Sequence, residues 1–188
     1  MSSNGYIALL RGINVGGHHK IKMAELRELL EEIGLEQIQT YIQSGNVLFT
    51  SSQPEQELRD QLEQAIKERF GFAVPVILRT RDEWEQLISN NPFTDGERQA
   101  ASETSEGESF YVAMLHEPPS PEVIEKWKSY QTSEERMEVV GRDVYLLFPN
   151  SIRNSKMANQ IHSLGLATTR NGKTILKLQS MAHRLSSL

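Results

Sequence analysis

The chain has 188 residues and a mass of 21.4 kDa, with 38% apolar and 24% charged residues, which is the composition of a globular protein with one domain or two small ones. The absence of cysteine excludes disulfides, thiol nucleophiles and thiolate metal sites and points to a cytoplasmic protein; no apolar run nears the roughly 18 residues of a membrane helix, and no export signal opens the chain. The net charge of −5 divides unevenly, with +3 and no acid in residues 1–24, +6 and no acid in 144–188, and −14 between them, so basic ends brought together would form an electropositive face.

Tyr6 to Leu10 is an apolar run too short for a helix and predicts a central strand covered on both faces. A basic loop follows, in which Gly12, Gly16 and Gly17 supply backbone freedom and are expected to turn amide N–H groups outward beside a helix start, where anions collect. Met23, Leu26, Leu29, Leu30 and Ile33 recur at helical spacing, with Gly34 at the capping position. Ile38–Gln43 and Val47–Thr50 read as strands joined by a Ser44-Gly45-Asn46 turn. Ser52-Gln-Pro-Glu55 predicts a capping box opening a helix that carries Leu58, Leu62, Ile66 and Phe70 and stops at Gly71. Phe72–Leu78 reads as an edge strand, because Pro75 cannot donate to a ladder.

Thr80-Arg-Asp-Glu83 is a second capping box, before a short helix ended by Asn90-Asn91-Pro92. Asp95 to Glu108 is polar, acidic and aperiodic, which predicts a loop or linker. Phe110–Leu115 is a strand, Ser120-Pro121 opens a helix, and Met137–Val140 and Val144–Phe148 flank a Gly141-Arg142 hairpin. Lys156–Ser163 is helical and ends at Gly165; a last helix runs from about Asn171 with Ile175, Leu178, Met181 and Leu185 on its apolar side. The order predicts an α+β fold with a ferredoxin-like βαββαβ first half, residues 1–79, a bridging helix and polar linker, 80–108, and a second α+β half of similar topology, 109–188, without a repeat visible residue by residue.

Three blocks, Leu9-Leu-Arg-Gly-Ile-Asn-Val-Gly-Gly17, Lys22-Met23 and Tyr41-Ile-Gln-Ser-Gly-Asn-Val47, closely resemble the opening of the bacterial domain of unknown function 1697 family. The resemblance continues through Phe70-Gly-Phe, Asn91-Pro-Phe93 and Val140-Gly-Arg-Asp-Val-Tyr145 to the C-terminal helix. It implies an α+β fold with a ferredoxin-like first half and brings no established activity. Two departures lie in the basic C-terminal segment. Arg170-Asn-Gly-Lys-Thr174 stands where the family tends to have Arg-Asn-Trp-Asn-Thr, and Arg153-Asn-Ser-Lys-Met157 where members often read Gly-Arg-Ser-Lys-Leu.

The loop from Gly12 to Lys20 matches neither a Walker A sequence nor a dinucleotide fingerprint. It suits a phosphate or carboxylate, with Arg11, His18, His19 and Lys20 as donors around Gly12, Asn14, Gly16 and Gly17, and with Arg153, Lys156, Arg170 and Lys177 as contributors from the other basic end. The structural alternative is a turn in which Asn14 bonds local backbone. Ser44 lacks the strand-to-helix context of a nucleophile elbow and reads as a turn residue. His18 and His19 point apart in extended chain, and neither a metal-ligand set nor a cofactor motif is present. The leading functional expectation is a cytoplasmic binding protein for a small anionic, phosphate-bearing ligand. The alternatives are a hydrolase or transferase acting on a phosphorylated metabolite with a histidine as acid or base, and a sequence-tolerant nucleic-acid binder, whose signature aromatic run is absent.

Overall fold

The computed structural model describes residues 3–164 and 167–185. Two compact units divide the chain: the first takes residues up to Gln86 and those from Leu176 on, the second Leu87–Ile175. In the first, β1 (Asn4–Leu10), α1 (Met23–Glu32), β2 (Glu36–Tyr41), β3 (Asn46–Ser51), α2 (Glu55–Phe70) and β4 (Val76–Thr80) run in that order, followed by α3 (Arg81–Ser89). The sheet order is β2-β3-β1-β4 and every pairing is antiparallel, which is the ferredoxin-like arrangement. Tyr6 to Leu10 are all buried at the centre of the sheet, and β4 lies at its edge, where Pro75 just before it costs no ladder bond.

The second unit opens with α4 (Asp95–Thr104) and then repeats the pattern as β5 (Phe110–Leu115), α5 (Pro121–Lys128), β6 (Arg136–Val140), β7 (Asp143–Leu147), α6 (Lys156–Ser163) and β8 (Ala167–Asn171), with order β6-β7-β5-β8. A 3-10 turn, Ile152–Asn154, precedes α6, and α7 (Gly172–Ala182) follows β8 and enters the first unit at Leu176. In the first unit α1 and α2 cover the sheet face carrying Tyr6, Ala8, Val47, Phe49, Val76 and Leu78. In the second, Trp127 of α5 and Met157, Ala158 and Ile161 of α6 cover Ala113, Leu115, Val144 and Leu146. The opposite faces are also withdrawn from solvent, as Ile7, Leu9, Leu48, Val112, Met114 and Tyr145 show.

Strand register makes the repeat visible residue by residue, which the sequence alone does not. Tyr6-Ile-Ala-Leu-Leu10 and Tyr111-Val-Ala-Met-Leu115 occupy the same places, and Leu10 and Leu115 each donate an amide across the hairpin base, to Gly45 and Arg142. On the last strands Arg79 pairs with Ile7 and Arg170 with Val112, and each guanidinium Nη1 donates 2.9 Å to the carbonyl just before it. The next residues, Thr80 and Asn171, each cap the following helix, at Glu83 and Thr174.

Two expectations need correction, and one strand had no counterpart in the sequence reading. Asp95 to Glu108 is not a loop throughout, because Asp95–Thr104 forms α4, opened by a reciprocal Thr94–Glu97 capping box. Only Ala101 of that helix is buried, so there was no apolar period to read. Ser52 forms no capping box: α2 starts at Glu55 after Pro54 without a side-chain cap. The segment before the last helix is an edge strand, β8, whose Ala-Thr-Thr-Arg-Asn sequence lacks the apolar alternation that marks a strand. Gly165 lies outside the described residues.

Candidate functional site

Between β1 and α1 the loop Arg11–Lys22 folds back on itself. Gly12, Asn14, Gly16, Gly17 and His19 all take positive φ, five of the eight residues from Gly12 to His19. The amide of Asn14 donates to the carbonyl of His19, and that of His18 to Val15, closing a small turn at the tip. The side chain of Asn14 acts as the staple. Its Nδ2 donates to the carbonyls of Gln43 (2.7 Å) and Ile21 (3.0 Å), and its Oδ1 accepts the amide of Ile21 (2.9 Å). Ile13 and Ile21 are buried in the core of the unit, so the loop is anchored at both ends while Val15 to Lys20 are exposed.

The β2–β3 hairpin supports the loop from below. Gly45, at φ +89°, sits so close to Leu10 that a Cβ there would lie 2.7 Å from the Leu10 Cβ. Buried Asn46 braces the turn by donating to the carbonyl of Tyr41 and to the hydroxyl of Ser44, which places Ser44 in a turn role. Ile42, β-branched and half exposed, is held at φ +49°. Such a conformation is costly and persists only where the surroundings enforce it.

Loop, hairpin and helix start enclose a cavity of about 400 Å³ lined by Asn14, Gly17, Lys20, Ile21, Lys22, Met23 and Gln43. Lys22 is the N-cap residue of α1, its backbone is extended there, and no side chain caps the helix. An ammonium group cannot accept a hydrogen bond, so the first amides of α1 gain no acceptor from it. In the equivalent helix of the second unit, Ser120 caps α5 by accepting the amide of Val123. Lys22 also forms an exposed ion pair with Glu25 at 3.7 Å.

The predicted donors are distributed as follows. Gly17, Lys20 and Asn14 line the cavity, with Asn14 committed to the loop itself. Arg11 follows β1, its amide donating to Pro75, and is half-buried. His18 is exposed at the tip, and the His19 ring stacks on Phe72 with centroids 4.4 Å apart. Lys177 belongs to the same unit, with its ammonium 6.0 Å over the ring of Tyr41, the last residue of β2. Arg153, Lys156 and Arg170 stand in the second unit: Arg153 in the 3-10 turn, Lys156 exposed at the start of α6, and Arg170 on β8. Burial pulls the Arg170 guanidinium down to about 10, which leaves it charged at neutral pH, and it donates to the Thr168 hydroxyl as well as to Thr169. That is the setting of a structural sheet arginine, as at Arg79. Lys22 and Gln43 were missed as lining residues, although a lysine where a helix usually begins with Ser, Thr, Asp or Asn was a readable signal for Lys22.

Among the described residues no group of three or more His, Cys, Asp or Glu side chains is placed to hold a metal ion, and no helix is long and apolar enough to cross a membrane.

A family model described as "Protein of unknown function (DUF1697)" matches residues 3–145. Among solved structures the chain is similar to the conserved bacterial protein SP0830 from Streptococcus pneumoniae, with 28% identity and a TM-score of 0.74 over 96% of this chain and 99% of that one. No curated protein matches the chain.

Proposed function

We propose a role for a chain that belongs to the DUF1697 family and inherits no activity from it: a cytoplasmic binding protein for a small anionic, phosphate-bearing ligand, held in the cavity at the start of α1. The observation that carries this reading is the bare start of α1 facing that cavity, with Lys22 in the place of a capping oxygen and Lys20 beside it. Orphan amides at a helix start favour an anionic oxygen as acceptor, and the two ammonium groups add charge where the dipole already favours an anion. Gly17 has no side chain to block close approach of the backbone, and the Asn14 staple holds the wall in place before any ligand arrives, which reduces the ordering cost of binding. Arg11 and Lys177 lie in the same unit and add to its positive charge, while His18 stands exposed at the tip of the loop.

The test is a thermal-shift screen against inorganic phosphate, sugar phosphates and nucleotides, repeated with Lys20→Ala, Lys22→Ala and Arg11→Ala. Phosphate-bearing compounds are expected to raise Tm, with loss of most of the shift in the two lysine variants. A shift indifferent to both lysine changes would remove the ligand from this cavity. Glu25→Gln frees Lys22 from its partner and is expected to tighten binding severalfold.

A further inference from the structure

We infer that the second unit carries a ligand site of its own, for a small zwitterion such as an α-amino acid, in the polar cavity between the segment before β5 and the turn after β7. The cavity has a volume of about 520 Å³ and is lined by Glu106, Glu108 and Tyr111 from the segment leading into and along β5 and by Arg153 and Asn154 from the turn after β7. It is independent of the cavity at α1.

Its walls are built in advance. The hydroxyls of Thr104 and Ser105 donate to the carbonyls of Pro149 and Asn150, both at 2.8 Å, tying the end of α4 to the exit of β7. Ser151 caps the 3-10 turn by accepting the amide of Arg153, which sets the direction in which that residue leaves the chain. Tyr111 packs edge-on against Phe148, with centroids 5.9 Å apart, which fixes its ring.

The charges select the ligand. Lys173 pairs with the Glu108 carboxylate at 2.7 Å, which leaves Glu106 as the unpaired acid of the lining among the described residues. Among the described residues neither the Glu106 carboxylate nor the Arg153 guanidinium has a side-chain partner, so the open cavity presents one negative and one positive group. A simple anion would meet Glu106 unpaired, and a simple cation would meet Arg153. A molecule carrying both an ammonium and a carboxylate satisfies the two together, with Arg153 well shaped for a carboxylate. Burial and the neighbouring Glu108 carboxylate raise the Tyr111 pKa, against the opposing effect of Arg153, so its hydroxyl stays protonated and able to donate to the same carboxylate.

The repeat supplies the remaining support. The connection from the third strand to the second helix takes three residues in the first unit, Ser52–Pro54, and eight in the second, Phe148–Ser155. The extra length forms one wall of this cavity and is not required to close the fold.

The experiment is an NMR amide titration of the full chain with standard L-amino acids tested singly, beginning with L-serine, against lactate, which lacks the amine, ethanolamine, which lacks the carboxylate, and glucose. Saturable shifts in residues 106–111 and 151–154 are expected with at least one amino acid and with none of the three comparators. Arg153→Ala and Glu106→Gln, both exposed positions, should each weaken that binding roughly tenfold or more, with Arg153→Lys recovering part of the loss. Tyr111→Phe should weaken it severalfold with Tm little changed. Three results would overturn the assignment: no saturable shift with any amino acid, lactate, ethanolamine or glucose binding as well as the amino acids, or amino-acid binding untouched by the Arg153 and Glu106 changes.

Discussion

The two copies of the βαββαβ pattern connect the same elements with very different amounts of chain. From first strand to first helix the second copy uses five residues, His116–Ser120, ending in a serine that caps the helix. The first copy uses twelve, Arg11–Lys22, and ends in a lysine that cannot. Its central hairpin is also longer, Ile42–Gly45 against Gly141-Arg142, and lies at the same end of the sheet. The topology therefore does not demand the glycine loop. Left-handed conformations at non-glycine positions cost on the order of 1–3 kcal/mol each, and three of the four in the described chain, Asn14, His19 and Ile42, gather here. The proposed site at α1 would account for structure retained at that cost beyond what the fold needs.

The largest expected effect comes from the closest contact. Gly45→Ala combines a positive φ with a Cβ driven into Leu10 and should cost about 2–4 kcal/mol in urea denaturation, whereas Arg142→Ala at the equivalent hairpin position should cost under about 1 kcal/mol. Equal costs would mean that the two hairpins do the same work. Asn14→Ala removes three hydrogen bonds and should cost about 2–3 kcal/mol, and it should also abolish phosphate binding, since the wall of the cavity loses its staple.

Next is a reciprocal exchange of caps. Lys22→Ser installs in α1 the cap that α5 already has and should raise stability by about 1 kcal/mol while lowering anion affinity; Ser120→Ala should cost α5 a similar ~1 kcal/mol. A Lys22→Ser protein that gained stability and bound phosphates undiminished would separate the bare helix start from function. The smallest effect is expected from Glu85, which ties α3 to Gln179 of α7 and to His183 just beyond that helix. Its carboxyl lies below the usual range, held down first by the Gln179 hydrogen bond and then, against the opposing effect of burial, by His183 and Arg81. A lowered carboxylate contributes stability that is complete above its unfolded value of about 4.3 and is lost as pH falls through the lower folded value. Tm measured from pH 6 to pH 3 should therefore fall less steeply in Glu85→Gln than in the parent.

Much of the fold was legible because its signals are local. The run Tyr6–Leu10 reads as a doubly covered strand because every residue in it is apolar, and Thr80–Glu83 reads as a cap because both halves of the box lie within one turn. α4 and β8 were hidden for the opposite reason. α4 has one buried residue and is held by its Thr94–Glu97 box and by contacts such as Arg136 to Glu97; β8 is defined by pairing with β5, more than fifty residues away. At the site, the glycines announced a turning loop, and the alternative use of Asn14 as a local backbone staple was also readable. That the basic C-terminal segment divides between two units was not.

Residue order by itself set most of the strands and helices, the glycine positions where the backbone turns left-handed, and the acid-free stretches at either end. Only the tertiary structure decided that the halves are copies in register, that Arg170 is a sheet arginine like Arg79, and that the cavity at α1 is edged by Gln43 from a different hairpin. The first kind of feature depends on neighbours within a turn or two, where side-chain shape and hydrogen bonding act directly. The second depends on which distant strands pair and on what burial does to a charge, and those quantities exist only once the chain has folded.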